Sequence, residues 1–99
     1  MARFDVYENA AGPGYLLDVQ TDLLSGLNTR VVVPLLPLKS APKPASRLNP
    51  VFDLHRSRFA MVTQFMAAVP GSELTKPVGS LAAESHRVVE ALDMLFFGF

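Results

Sequence analysis

Only one stretch of this chain repeats its apolar residues at helical spacing, and it lies at the C-terminal end. At about 100° per residue, Leu81, Val88, Leu92, Leu95 and Phe96 share one face, with Val89 beside them. His86, Arg87, Glu90 and Asp93 lie opposite. That is the pattern of an amphipathic helix packed on a sheet, and Ser80 is its expected N-cap. Everything upstream is cut into short pieces by glycine and proline, so strands must supply the rest of the fold.

Residues 3–7 (RFDVY) alternate, with Phe4 and Val6 on one side, and residues 15–20 (YLLDVQ) read as a second strand. Between them Asn9-Ala10-Ala11-Gly12-Pro13-Gly14 is a turn by composition, giving an N-terminal hairpin. Ser25-Gly26-Leu27-Asn28 marks another reversal. Residues 30–36 (RVVVPLL) carry the strongest β signal, with Pro34 expected at an edge or a bulge. Five prolines between Pro34 and Pro50 predict a stiff, extended surface loop. Further strands are expected at 51–54 and 59–69, the second closed by Val69-Pro70-Gly71. Several short strands followed by one helix predict a mainly β or α+β domain over residues 1–99, an antiparallel sheet or small barrel with a C-terminal helix.

Composition narrows the function. Nine Lys and Arg balance nine Asp and Glu, so the chain lacks the net positive charge of a non-specific nucleic-acid binder, although one local basic patch stays open, and no direct nucleic-acid binding is expected. Apolar residues make up 49% of only 99, more than a small interior needs, which predicts an oligomer, most simply a two-fold homodimer, with a dense monomeric core as the alternative. There is no cysteine, which removes disulfides and thiolate chemistry. The apolar run 31–38 is too short to cross a bilayer and holds two prolines. The N-terminus has no apolar signal core, so a cytoplasmic location is expected. Two histidines thirty-one residues apart make a poor metal site, and no cofactor is expected.

The chain end stands out. Phe97 projects between Glu90 and Asp93 on the polar side of the helix, and Gly98 and Phe99 follow. Either the helix continues and presents an aromatic ring to a partner, or it frays at Phe96 and both rings fold back on the sheet. Periodicity leaves these two readings level.

Six segments in series then resemble one family. They are Asp18-Val19-Gln20-Thr21-Asp22-Leu23-Leu24, Val31-Val32-Val33-Pro34-Leu35, Leu48-Asn49-Pro50-Val51, Met66-Ala67-Ala68-Val69-Pro70, Ser85-His86-Arg87 and Leu95-Phe96-Phe97-Gly98-Phe99. In order and over essentially the whole chain they are similar to CcdB-type toxins. The resemblance implies an SH3-like antiparallel sheet closed by a C-terminal helix, and a homodimer whose C-termini meet near the two-fold axis. It implies the toxin of a toxin–antitoxin pair, neutralised by an antitoxin whose disordered segment folds on binding. The implied target is the dimerisation region of the DNA gyrase A subunit, trapped while DNA is cleaved, by binding rather than catalysis.

Carried over by position, the gyrase-binding residues would be Leu23, Leu24, Asp93, Phe96, Phe97, Gly98 and Phe99. Leu23 and Leu24 also read as ordinary core residues at a strand end, since neighbours on a strand face opposite ways. Phe97 stands where the family has tryptophan, Phe99 where it has isoleucine, and Asp93 where asparagine is common. Two alternatives remain. One is an endoribonuclease toxin of the MazF/Kid type, which would draft the basic residues His55, Arg56 and Arg58; a solvated loop end is the simpler account of these. The other is an antitoxin-binding homologue with little toxicity.

Overall fold

A computed structural model describes residues 2–99; Met1, the first residue of the single-domain expectation, lies outside them. The chain opens with the expected hairpin, β1 (Asp5–Glu8) antiparallel to β2 (Tyr15–Asp18), with Val6 opposite Leu17. The loop 9–14 depends on glycine at its last position. Gly14 has φ +91°, and a Cβ there would stand 2.1 Å from the Leu35 carbonyl oxygen, so a side chain is forbidden by both backbone and space.

Strand β3 (Thr29–Pro37) is the spine of the sheet, with β2 along one side. Two strands share its other side. β4 (Val51–Leu54) turns tightly into β5 (Ser57–Met61), which pairs with Leu35, Leu36 and Pro37. β6 (Ala67–Pro70) pairs with residues 29–32 of the same side. The single strand expected over 59–69 is therefore two strands, separated by a 3-10 turn at Thr63–Phe65. The Thr63 hydroxyl donates to the Leu48 carbonyl there.

Pro34, expected at an edge or a bulge, sits in a central strand at an interruption of the ladder, where residues 33–34 of β3 face residues 62–66 and the neighbour changes from β6 to β5. Its carbonyl accepts the Val62 N–H at 3.0 Å. A strand residue's N–H and C=O point to the same side, so the donor that proline lacks would face this seam between two partners. Of the prolines expected in the loop, Pro34 and Pro37 belong to β3, while Pro42 and Pro44 lie in the exposed segment that follows.

β7 (Gly79–Ser80) adds to the free side of β1, Asp5 opposite Ser80. Ser80 is thus a strand residue rather than the helix N-cap. Its hydroxyl accepts the Ala82 N–H at 3.1 Å and starts a 3-10 turn, Ala82–Glu84, and the α-helix proper, α1, runs Ser85–Phe97. The order β4-β5-β3-β2-β1-β7, with β6 also on β3, curls into a nearly closed, barrel-like antiparallel sheet. With the terminal helix this is the expected α+β fold.

Alternation along β3 separates two interiors. Val31, Val33 and Leu35 face the main core, built with Val6, Leu17, Phe52, Met61, Leu81, Val88 and Ala91. Val32 faces a smaller cluster with Tyr7 and Leu74. Each fully buried aliphatic side chain contributes roughly 1.5–3 kcal/mol, so the face under α1 holds most of the stabilising burial. Arg87 fastens the helix from its rim, donating to the Val51 carbonyl at 2.9 Å with its guanidinium over the Phe52 ring. The predicted apolar stripe does not bury to its end: Val88 and Ala91 are buried and Leu92 packs against the core, but Leu95 and Phe96 are exposed.

Candidate functional surface

The segment after β2 begins a new structure where a strand was expected to continue to residue 20. Val19 keeps the ladder, its N–H donating to the Val31 carbonyl at 3.1 Å. At Gln20 the side chain replaces the backbone: Oε1 accepts the Val31 N–H at 3.0 Å. The Thr21 hydroxyl accepts the Leu23 N–H at 3.3 Å and caps a 3-10 turn, Asp22–Leu24. On that turn Leu23 is 92% exposed and Leu24 about half exposed. Neither is a core residue.

Beneath the turn lies charge. Asp18 and Arg30 are each 0% exposed, and the Arg30 guanidinium donates twice to one carboxylate oxygen, Nε at 2.9 Å. The other oxygen accepts the Gln20 N–H at 3.0 Å. Burial pushes the Asp18 carboxyl above the ordinary carboxylate range against the pull of Arg30. Burial, then the charges of Asp5 and Asp18, push the nearby Tyr7 phenol upward as well. Asp22 reaches toward the same guanidinium at 3.7 Å and accepts the Arg3 N–H at 2.9 Å.

At the other end of the chain, α1 holds its helical form through Phe97. Gly98 then takes a left-handed conformation, φ +82°, its N–H donating to the carbonyls of Asp93 and Met94 at 3.2 and 3.1 Å. This αL ending is the common stop for a helix, and glycine adopts it without steric cost. It turns Phe99 back toward Phe97, so that the rings stack 6.3 Å apart at 26°. Phe97 is 68% and Phe99 73% exposed. Of the two readings left level by periodicity, continued helix and presented rings is the one realised.

The positions carried over from the resemblance are partly brought together. Leu24 and Phe96 line one shallow apolar groove of about 430 Å³, with Val19, Val31, Met66 and Leu92 beneath them. Phe97 and Phe99 form their own stacked plate. Asp93 is half buried and serves the helix end through its backbone carbonyl. A larger cavity of about 580 Å³, between the 9–14 loop, Tyr15, Phe59 and Glu73, shares none of these residues.

The basic trio sits elsewhere. His55 and Arg56 form the two-residue β4–β5 turn, both with positive φ as a type I′ turn requires. Arg58 pairs with Asp53 at 3.3 Å, both exposed. Among the described residues no three His, Asp or Glu side chains gather as a metal-binding group, and no helix is long and apolar enough to cross a membrane.

Arg3, Asp18 and Arg30 were not singled out from the sequence for this surface: Arg3 lines the groove, while the buried Asp18 and Arg30 support it from behind. A signal existed: Asp18 and Gln20 fall on the same side of a strand, as do Arg30 and Val32, and a polar pair on an inward side is unusual. Chemically the surface offers exposed aromatic and aliphatic groups on hydrogen-bonded supports, which is the equipment of a binding face. A family model described as CcdB protein matches residues 3–98, nearly the whole chain, and the protein therefore belongs to the CcdB family.

Proposed function

We propose that this protein is a gyrase poison: the toxin of a toxin–antitoxin pair that binds the dimerisation region of the DNA gyrase A subunit and holds the cleaved gyrase–DNA complex. The observation that carries the reading is the apolar end of the molecule, where Leu23, Phe97 and Phe99 are the most exposed large apolar side chains. Such exposure is costly in water unless a partner covers it. The stacked rings offer anchor area at small entropic cost, having only two torsions each. A ring at position 97 also suits a cationic guanidinium, which binds the face of an aromatic.

In this reading Leu23, Leu24, Asp93, Phe96, Phe97, Gly98 and Phe99 make up the contact surface. Gly98 contributes its left-handed turn, which aims Phe99. The protein acts without catalysis, by stabilising one state of a two-state machine more than the other. Two copies related by a two-fold axis would double the surface, and the apolar groove beside Phe96 supplies area for such contacts. The antitoxin would cover this or an adjoining surface through a segment that orders on binding. Action on gyrase places the protein in the bacterial cytoplasm.

The test is direct. Purified protein should inhibit supercoiling and accumulate cleaved gyrase–DNA complexes while leaving RNA intact. RNA cleavage with gyrase unaffected would overturn the reading in favour of a nuclease. Sedimentation of the same sample reports whether the active species is a dimer.

A further inference from the structure

Residues 21–29 are exposed without exception. No side chain of this loop is buried, so hydrogen bonds rather than packing hold it. Asp22 ties its start to the Arg3 N–H, and the Asn28 carbonyl accepts the Gly71 N–H at 2.8 Å. Its middle is held by one carboxamide. Gln20 is only 8% exposed, and its Nε2 donates at 3.2 Å to the Leu24 carbonyl and at 3.2 Å to the Thr29 carbonyl. Its Oε1 accepts the Val31 N–H. A single side chain thus ties the middle of the loop to the start of β3, at Thr29 and Val31.

The position of that carboxamide is itself set from below. The Gln20 N–H is held by Asp18, and its carbonyl accepts from the Arg30 guanidinium at 3.4 Å. The site needs two donors and one acceptor in a fixed order, which only an amide supplies. A carboxylate would direct lone pairs at two carbonyl oxygens, and an aliphatic side chain would leave the Val31 N–H unpaired.

We propose that Gln20 is a positioning residue: its carboxamide closes the base of the 21–29 loop and so holds Leu23 and Leu24 in the geometry that a partner reads. The part of this role that concerns gyrase rests on the function proposed above. Leu24 is the direct link, because its carbonyl is bound by Gln20 while its side chain lines the groove shared with Phe96.

The experiment measures amide exchange and gyrase binding together in the full-length protein. In Gln20→Leu, the amides of Leu24, Ser25 and Leu27 should exchange on the order of tenfold faster, since both donors at the loop base are lost. The Val31 amide, stripped of its acceptor, should exchange faster as well, while the β2–β3 pairs from Val32 onward stay unchanged. Affinity for a gyrase A fragment should fall on the order of tenfold with it. Gln20→Glu retains the acceptor for Val31 and loses both donors, so it should behave alike and stands in if the leucine variant does not fold. In the wild type, the Gln20 side-chain amide protons should exchange more slowly than those of exposed Asn28, a reading that needs no variant. Phe97→Ala should lose gyrase binding while loop exchange stays as in the wild type, which separates contact from positioning.

Unchanged loop exchange in the folded variants would overturn the clamp. Faster exchange with undiminished gyrase affinity would overturn the positioning role. If the wild type itself ignores gyrase, the gyrase reading has failed, and the exchange data still decide whether Gln20 holds the loop.

Discussion

Two surface loops of this molecule are built on the same device and present opposite faces to water. The loop 21–29 hangs from the carboxamide of Gln20. The proline-rich loop that follows β3 hangs from Asn49, whose Oδ1 accepts the Ala45 N–H at 3.0 Å. The Asn49 Nδ2 donates to the Met61 carbonyl and to Gln64 at 3.1 and 2.8 Å. Both carboxamides are buried, so in each case one polar side chain stands in for a hydrophobic anchor. Yet residues 39–47 put out lysine, serine and proline, while residues 22–24 put out leucine. Leu38, where that loop opens, is 39% exposed against 92% for Leu23, so a nearly bare leucine is no requirement of making a loop here.

The contrast extends inward. Beneath Leu23 lies a fully buried ion pair, so polar and apolar groups have exchanged their usual places. Removing one partner of such a pair strands the other's charge. Arg30→Leu should lose about 3–5 kcal/mol of stability, read by denaturant unfolding. A loss under 1 kcal/mol would mean that the loop 21–29 is supported by something other than this network.

Next in size is the aromatic plate. Phe97→Ala should weaken gyrase binding by about 2–4 kcal/mol with little change in unfolding midpoint, and deletion of Gly98 and Phe99 should abolish growth inhibition. If toxicity survives the deletion, the exposed rings are not the contact. Asn49→Ala should cost about 1–3 kcal/mol of stability by leaving buried partners unsatisfied, while gyrase affinity stays within about twofold. A large gyrase defect there would erase the distinction between the two loops.

Smaller still, Leu23→Ser should leave stability within about 0.5 kcal/mol and weaken gyrase binding by roughly 1–2 kcal/mol, measured by calorimetry. The smallest effect is expected at Tyr7, whose buried hydroxyl has no hydrogen-bond partner among the described residues. Tyr7→Phe should alter stability by less than about 1 kcal/mol near neutrality. Its phenol is raised by burial above the ordinary value of 10.0. The tyrosine's contribution is thus whole below that pH and is lost as pH rises through the raised value, because the unfolded chain gives up its proton first. The phenylalanine variant should lack that alkaline decline, which unfolding measured across the alkaline range will show.

How much of this was legible beforehand varies with the range of the interaction. The N-terminal hairpin, the strong β3 run, the strand at 51–54 and the terminal helix follow from alternation, turn chemistry and helical period, which are local. Which of the two places allowed to Pro34 it takes was not legible, because the interruption it occupies is made by two later strands meeting at one point of β3. Ser80 was misplaced because the open side of β1 recruits it into the sheet before the helix begins. In the candidate surface, the prominence of Phe97 was visible as a ring on the wrong side of a helix wheel, but not whether the helix lasted long enough to present it.

Local sequence alone determined, then, that the chain forms a β-rich fold followed by an amphipathic helix, and it marked the C-terminal residues as anomalous. Only the tertiary structure decided that Leu23 and Leu24 stand outside the core, that Phe97 and Phe99 stack, and that Asp18, Gln20 and Arg30 form a support. The reason is physical. Periodicity reports which side of an element faces inward, but the partners of a buried polar group, and the loop it holds, are set by residues that meet only after the sheet has closed.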